Sequence, residues 1–185
     1  MYFNSFPIIP YDSTGTGQFK DVTNLLRRVA IRTKVRTNAL LYDTYDVKEG
    51  ETPESIADKL YGDSELHWVI LLINDITDRY HQWPLANGQF LDYINDKYDN
   101  VDGTHHYKIA QSSGDTATFI EVYDPTLLDA STETDLTAYN TATKVTNRNY
   151  EDDVQDRIRK IRLLDPKYIE DFIDEFQSLM KESNI

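Results

Sequence analysis

The chain has 185 residues, 39% hydrophobic and 12% aromatic, which suits a folded domain with extensions and argues against a mostly disordered polymer. The absence of cysteine excludes disulfides, thiolate chemistry and Cys-ligated zinc, and the net charge of −13 disfavours nucleic-acid binding by the surface as a whole. That charge is segregated: residues 1–42 set six cations against Asp12 and Asp21, a net +4, while the remainder carries −17. A basic head on an acidic body suits oppositely charged protein surfaces or self-association. No segment approaches the roughly 18 apolar residues of a membrane span. Residues 1–10 lack the basic start of a secretory signal and are cut by Pro7 and Pro10.

Residues 1–20 read as an extended arm punctuated by Pro7, Pro10, Gly15 and Gly17, with Tyr2, Phe3, Phe6, Ile8 and Ile9 as apolar anchors. So many large apolar side chains predict docking, either on the chain's own domain or on a partner. Gly15 and Gly17 follow no predicted strand and do not make a phosphate loop. Over residues 28–37, Val29, Ile31, Thr33, Val35 and Thr37 alternate with Arg28, Arg32, Lys34 and Arg36. Period two with β-branched residues predicts a strand. Its cationic side is either an ordinary solvated face or a stripe meeting an acidic partner.

The segment 44–94 is the most informative. Tyr45 to Val47 start a short strand and Gly50 supplies a turn. Thr52 is a natural N-cap with Pro53 at the first helical position, and Gly62 is a left-handed stop. Asp63 or Ser64 caps a second helix carrying Leu66, Val69, Ile70 and Ile73. Trp68, Leu71 and Leu72 fill much of its other side, so another segment or another chain must cover it. Gly88 to Leu91 are expected to lead into a second strand.

Residues 98–148 turn polar, with His106–Ala110 and Thr116–Tyr123 predicting a hairpin around Ser113-Gly114-Asp115. Residues 151–164 run from acidic to basic, which suits a helix macrodipole, although 159–164 also fits a strand. Asp165 and Pro166 then open a final helix striped by Ile169, Phe172, Ile173, Phe176, Leu179 and Met180. That stripe docks on the chain's own core or in a partner's groove.

The set Tyr45-Asp46-Val47, Gly50-Glu51-Thr52, Ile56-Ala57, Tyr61-Gly62-Asp63, Asn74 and Gly88-Gln89 resembles the LysM module, a strand–helix–helix–strand unit. More of the chain resembles a narrower family. Phe6-Pro7, Asn24 to Arg28, His67-Trp68 and Ile161 to Pro166 with the terminal helix are similar to the baseplate wedge protein 53 family of T-even-like contractile-tailed bacteriophages. The likeness covers residues 1–97 and 143–182.

The residue patterns predict an α+β fold in four segments: an arm and basic strand (1–43), a LysM-like module (44–97), a hairpin-containing insertion (98–148) that the family likeness does not cover, and a C-terminal helical segment (149–185). The resemblance implies a non-enzymatic structural subunit of the virion tail baseplate, assembled in the host cytoplasm. Such a subunit joins neighbouring wedges and contacts the lysozyme-like sheath-initiating and helical core-bundle wedge proteins, without nucleic acid, membrane or cofactor. Candidate interface residues are Phe3, Phe6, Arg28, Arg32, Lys34, Arg36, Trp68, Leu71, Leu72, Ile169, Phe172 and Phe176.

The alternative is LysM-type peptidoglycan binding through a groove at Gly50, Glu51, Thr52, Asn74 and Asp75. Pro53 departs from the usual Leu there, and the acidic body opposes approach to an anionic wall. A hydrolase reading finds no nucleophile elbow, P-loop or dinucleotide fingerprint. His105-His106 reads as a surface pair and not a metal site, because adjacent strand residues point to opposite faces.

Overall fold

The structure, a computed structural model, describes residues 2–26, 29–31, 35, 38–111, 118–123 and 142–182. It mixes helix and strand, as the α+β reading expects, in two compact units: residues 1–84 with 159–185, and residues 85–158. Strands are β1 (Ile8–Tyr11), β2 (Lys20–Thr23), β3 (Tyr42–Asp46), β4 (Thr104–Ala110), β5 (Phe119–Val122), β6 (Thr143–Thr146) and β7 (Lys160–Leu164). Helices are α1 (Pro53–Tyr61), α2 (His67–Ile73), α3 (Arg79–Gln82), α4 (Asn87–Lys97), α5 (Asn147–Arg159) and α6 (Ile169–Glu182).

The arm is not extended throughout. Tyr2–Ser5 form a 3-10 turn, and β1 pairs antiparallel with β2, with Ile9 opposite Val22 and Tyr11 opposite Lys20. Gly15 and Gly17 therefore do follow a strand. Their N–H groups, at 2.8 and 2.7 Å, go to the Asp12 carboxylate, so the anion in this loop is the chain's own. The Asn24 N–H donates to the Pro7 carbonyl at 2.8 Å. By the alternation of an antiparallel ladder, the backbone of Ile8 and Pro10 then faces outward, and Pro10 sits on the edge where its missing N–H is harmless.

The expected strand over 28–37 does not form among its described residues. Residues 29–31 are irregular and Val35 is helical. Val29 and Ile31 instead pack their side chains on the first core cluster. The alternation signals one apolar side, and at the described residues Val29 and Ile31 burial of that side is met without a ladder.

Strand β3 has its partner far along the chain. It pairs antiparallel with β7, Tyr42 opposite Leu164 and Asp46 opposite Lys160. The expected strand after Gly88 is a helix, α4, which buries Phe90 and Ile94 at i,i+4 spacing. The open choice over 151–164 resolves into both forms, α5 and then β7.

Between β3 and α2 the local signals hold. Thr52 accepts from the Ser55 N–H in a reciprocal capping box, Pro53 opens α1, and Gly62 closes it at φ 75°. Of the two cap candidates for the following turn, Asp63 is used, accepting from the Glu65 N–H at 2.8 Å.

The first unit has two apolar clusters on either side of α2. Val69 and Ile73 join Phe6, Trp68, Leu164, Phe176 and Met180 in one. Ile70 joins Val47, Ile56, Ala57, Trp83, Ile161 and Leu163 in the other. The all-round apolar character of α2 is thus met by other segments of the same chain. Trp68 lies 5.1 Å from Tyr2, 4.7 Å from Phe176 and 6.1 Å from Phe172, centroid to centroid. The Trp83 indole N–H donates to the Glu51 carbonyl at 2.9 Å, so its polar edge is satisfied.

In the second unit the expected hairpin is present, with β4 antiparallel to β5, and β6 adds a third strand on the other side of β4. Helix α5 turns Glu151 and Gln155 inward. Glu151, 2% exposed, accepts from the Lys97 ammonium at 2.8 Å and the Tyr98 hydroxyl at 2.7 Å. Burial works against the Lys97 charge, but Glu151 and Tyr93 outweigh it and raise its pKa. Burial and the Glu151 carboxylate push the Tyr98 phenol up to about 12.

Candidate interaction surface

An interface needs apolar side chains that the fold leaves in water, rimmed by polar groups. The β1–β2 ribbon and the turn after it supply them. Ile8 is 68% exposed, Tyr11 55%, Phe19 66%, Leu25 63% and Leu26 91%. Directly paired residues of an antiparallel ribbon share a face, so Ile9, Tyr11 and Val22 line one side with Lys20 at its end. A two-stranded ribbon is marginal in water unless something packs on it. Beside its start, a groove of about 590 Å³ runs between residues 4–8 and Gln177, Met180 and Lys181 of α6.

The twelve interface candidates divide by burial. Phe6, Trp68 and Phe176 lie within the chain's own first cluster, where a partner reaches them only by opening the core. The cause is aromatic packing among Tyr2, Phe6, Trp68 and Phe176, which is worth more than solvent exposure of any one ring. Phe3 is 54% exposed, and Leu71, Leu72, Ile169 and Phe172 are half-buried. Arg28, Arg32, Lys34 and Arg36 lie outside the described residues. Phe19, Leu25 and Leu26 were not among the candidates. Their signal was large apolar side chains beside a turn, where no core-facing periodicity claims them.

The proposed groove residues carry internal bonds. The Glu51 carboxylate accepts from the Tyr45 hydroxyl at 2.8 Å and the Lys48 N–H at 3.0 Å. Burial opposes its ionisation, but these bonds and the Lys59 charge outweigh burial and hold its pKa below the usual carboxylate range. Thr52 is the cap already described. Gly50 and Asp75 take positive φ, 73° and 55°. The Asn74 amide donates to the Ile70 and Arg162 carbonyls at 2.9 and 2.8 Å and accepts from the Arg162 N–H at 2.8 Å. The Tyr61 hydroxyl donates to the Leu164 carbonyl at 3.1 Å, and burial pushes that phenol up to about 12. Asn74 and Tyr61 therefore cap the edge of β7 that faces away from β3. Asn74→Ala is expected to cost about 2–4 kcal/mol, because it removes both side-chain hydrogen bonds to the Arg162 backbone. Chemical denaturation followed by tryptophan fluorescence checks this; a loss under about 0.5 kcal/mol would assign the edge little weight.

Among the described residues there is no group of three or more His, Asp or Glu placed to hold a metal, and no helix long and apolar enough to cross a membrane. Comparison with known proteins supplies the identity. The family model described as base plate wedge protein 53 matches residues 1–179. The baseplate wedge protein gp53 of Enterobacteria phage T4 is 37% identical over 60 residues, a stretch covering 32% of this chain and 31% of that relative. With nearly its whole length matched, this chain belongs to the base plate wedge protein 53 family, whose members are structural components of the phage baseplate.

Proposed function

We propose that this chain is a non-enzymatic subunit of the tail baseplate wedge of a contractile-tailed phage, which joins neighbouring wedges by protein–protein contact. The observation that carries the reading is the family match over residues 1–179, and the exposed apolar ribbon supports it as a contact surface. Its partners are the other wedge proteins: the lysozyme-like sheath-initiating protein and the helical core-bundle proteins. The subunit assembles in the host cytoplasm and resides in the virion baseplate. Apolar burial supplies the affinity, at roughly 25 cal/mol per Å² before the costs of association. The cations of residues 20–36 orient the complex.

The core of the first unit is, in this reading, a LysM-like module with a displaced closing strand. The order β3–α1–α2 is followed not by a nearby strand but by β7, which pairs antiparallel with β3. The module serves here as a scaffold. Glycan binding through residues 50–52 and 74–75 is the weaker reading, since the Glu51 and Asn74 side chains are committed to internal bonds. Sedimentation with insoluble peptidoglycan separates the two: the glycan reading requires the protein in the pellet.

The test of the main reading is co-purification with the other wedge proteins expressed together. Leu26→Asp with Phe19→Ser is expected to weaken that association about 30-fold, the effect of a roughly 2 kcal/mol contact. Circular dichroism should be unchanged, because both side chains are exposed. Undiminished association would remove the ribbon from the interface.

A further inference from the structure

Neighbouring residues of a regular strand face opposite ways, yet the rings of His105 and His106 meet. The register explains this. Thr104 pairs with Thr146 and His106 with Val145, so His105 is the extra residue of a bulge in β4. Bulges re-aim side chains, and this one brings the two Nδ1 atoms to 2.8 Å. His105 stacks on Tyr150 of α5 at 3.8 Å and 9° between planes. His106 is 1% exposed, and its Nε2 has no hydrogen-bond partner among the described residues.

Two imidazole nitrogens at hydrogen-bond distance require one hydrogen between them. We propose that His105 and His106 form an acid-sensitive latch in the second unit, in which one shared hydrogen holds the β4 bulge closed and keeps His105 stacked on α5. Taking up a further proton has three routes, all unfavourable. It charges the buried His106, or it sets two N–H groups face to face, or it drives the His106 hydrogen onto Nε2, which has no acceptor.

The charged and titratable surroundings are Lys108 on β4, Glu121 and Tyr123 from β5 and the residue after it, and Tyr150 and Asp153 on α5; β6 presents Val145. Burial is the largest influence on His106. With His105 and Lys108 it outweighs the pull of Glu121 and Asp153 and holds the imidazole below its ordinary pKa of 6.5. A base depressed in the folded state contributes stability that is present above its unfolded pKa and is lost as pH falls below it.

The test is histidine nitrogen NMR on the full chain, with amide-exchange protection measured from pH 7.5 to 5. The expected result is a neutral His106 hydrogenated on Nδ1. Protection of β4–β6 should fall by up to about tenfold per pH unit below about 6.5, the linkage of one proton, while β3 and β7 hold. His106→Phe removes the buried base and should flatten the profile, whereas His105→Phe keeps the stacking on Tyr150 and the buried base but takes away its Nδ1 partner, so the profile should persist while the His106 Nδ1 hydrogen loses its hydrogen-bonded chemical shift. If one fails to fold, the other and the wild-type NMR still decide. A His106 that titrates at or above 6.5, a hydrogen on its Nε2, an unchanged profile in His106→Phe, or an unchanged Nδ1 hydrogen shift in His105→Phe would overturn the latch.

Discussion

Trp68→Ala is expected to lower the stability of the first unit by about 3–5 kcal/mol, the range for removing a large aromatic from a packed core. The size follows from position. The indole is 9% exposed and lies among Tyr2, Phe172 and Phe176, so its loss leaves a cavity lined by the N-terminal turn and α6. Collapse of that cavity would require the N-terminal turn and α6 to move together. Trp83 is buried in the other cluster and becomes the sole tryptophan, so its fluorescence reports unfolding of this unit without interference. A loss below about 1 kcal/mol would mean that the N-terminal turn and α6 do not seal this side of α2. Trp68 would then regain its standing as a partner-facing residue.

Lys97→Met is expected to cost the second unit about 3 kcal/mol at pH 8. Removing one member of a buried pair leaves the other charge without compensation, typically at 3–5 kcal/mol. The lower end applies because the Lys97 side chain is 43% exposed and the Tyr98 hydroxyl still donates to Glu151. The pH dependence has a definite sign. A buried carboxylate stripped of its cation is costly only while it carries its charge. The defect therefore shrinks as pH falls toward 5 and is fully expressed near neutrality and above. Lys97→Met with Glu151→Leu should return to within about 1.5 kcal/mol of the parent, because an apolar pair in the same space needs no compensation. Thermal unfolding of the three proteins at pH 5 and pH 8 decides it; a pH-independent loss in the single variant would assign the effect to packing and not to charge.

The exposed ribbon and the buried pair illustrate two different limits of sequence reading. Glu151 sits in a run with Asp152 and Asp153, three acids that look alike in sequence. Helix α5 turns only the first inward, and the cation that meets it lies 54 residues earlier. No local pattern marks which carboxylate is buried. The ribbon fails for the converse reason. Apolar residues in the arm signal that something covers them, but covering by the chain itself and covering by a partner give the same composition. Phe6 and Ile8 are two residues apart, and one is 6% exposed while the other is 68%.

By itself, the sequence determined the parts whose causes are local. The N-cap at Thr52, the left-handed stop at Gly62, the Asp165-Pro166 start of the last turn and helix, and the β4–β5 hairpin depend on residues within a few positions of one another. The family motifs were legible for the same reason. Tertiary structure alone decided which strand completes β3, which rings bury Trp68 and how two adjacent histidines come to share a face. Each depends on contacts between segments far apart in the chain, where hydrogen bonding and apolar burial select one partner among several of similar pattern. Strand β7 won the place beside β3 because it brings Ile161, Leu163 and Leu164 into the clusters around α2, whereas Phe90 and Ile94 have the spacing of a helix and bury as one.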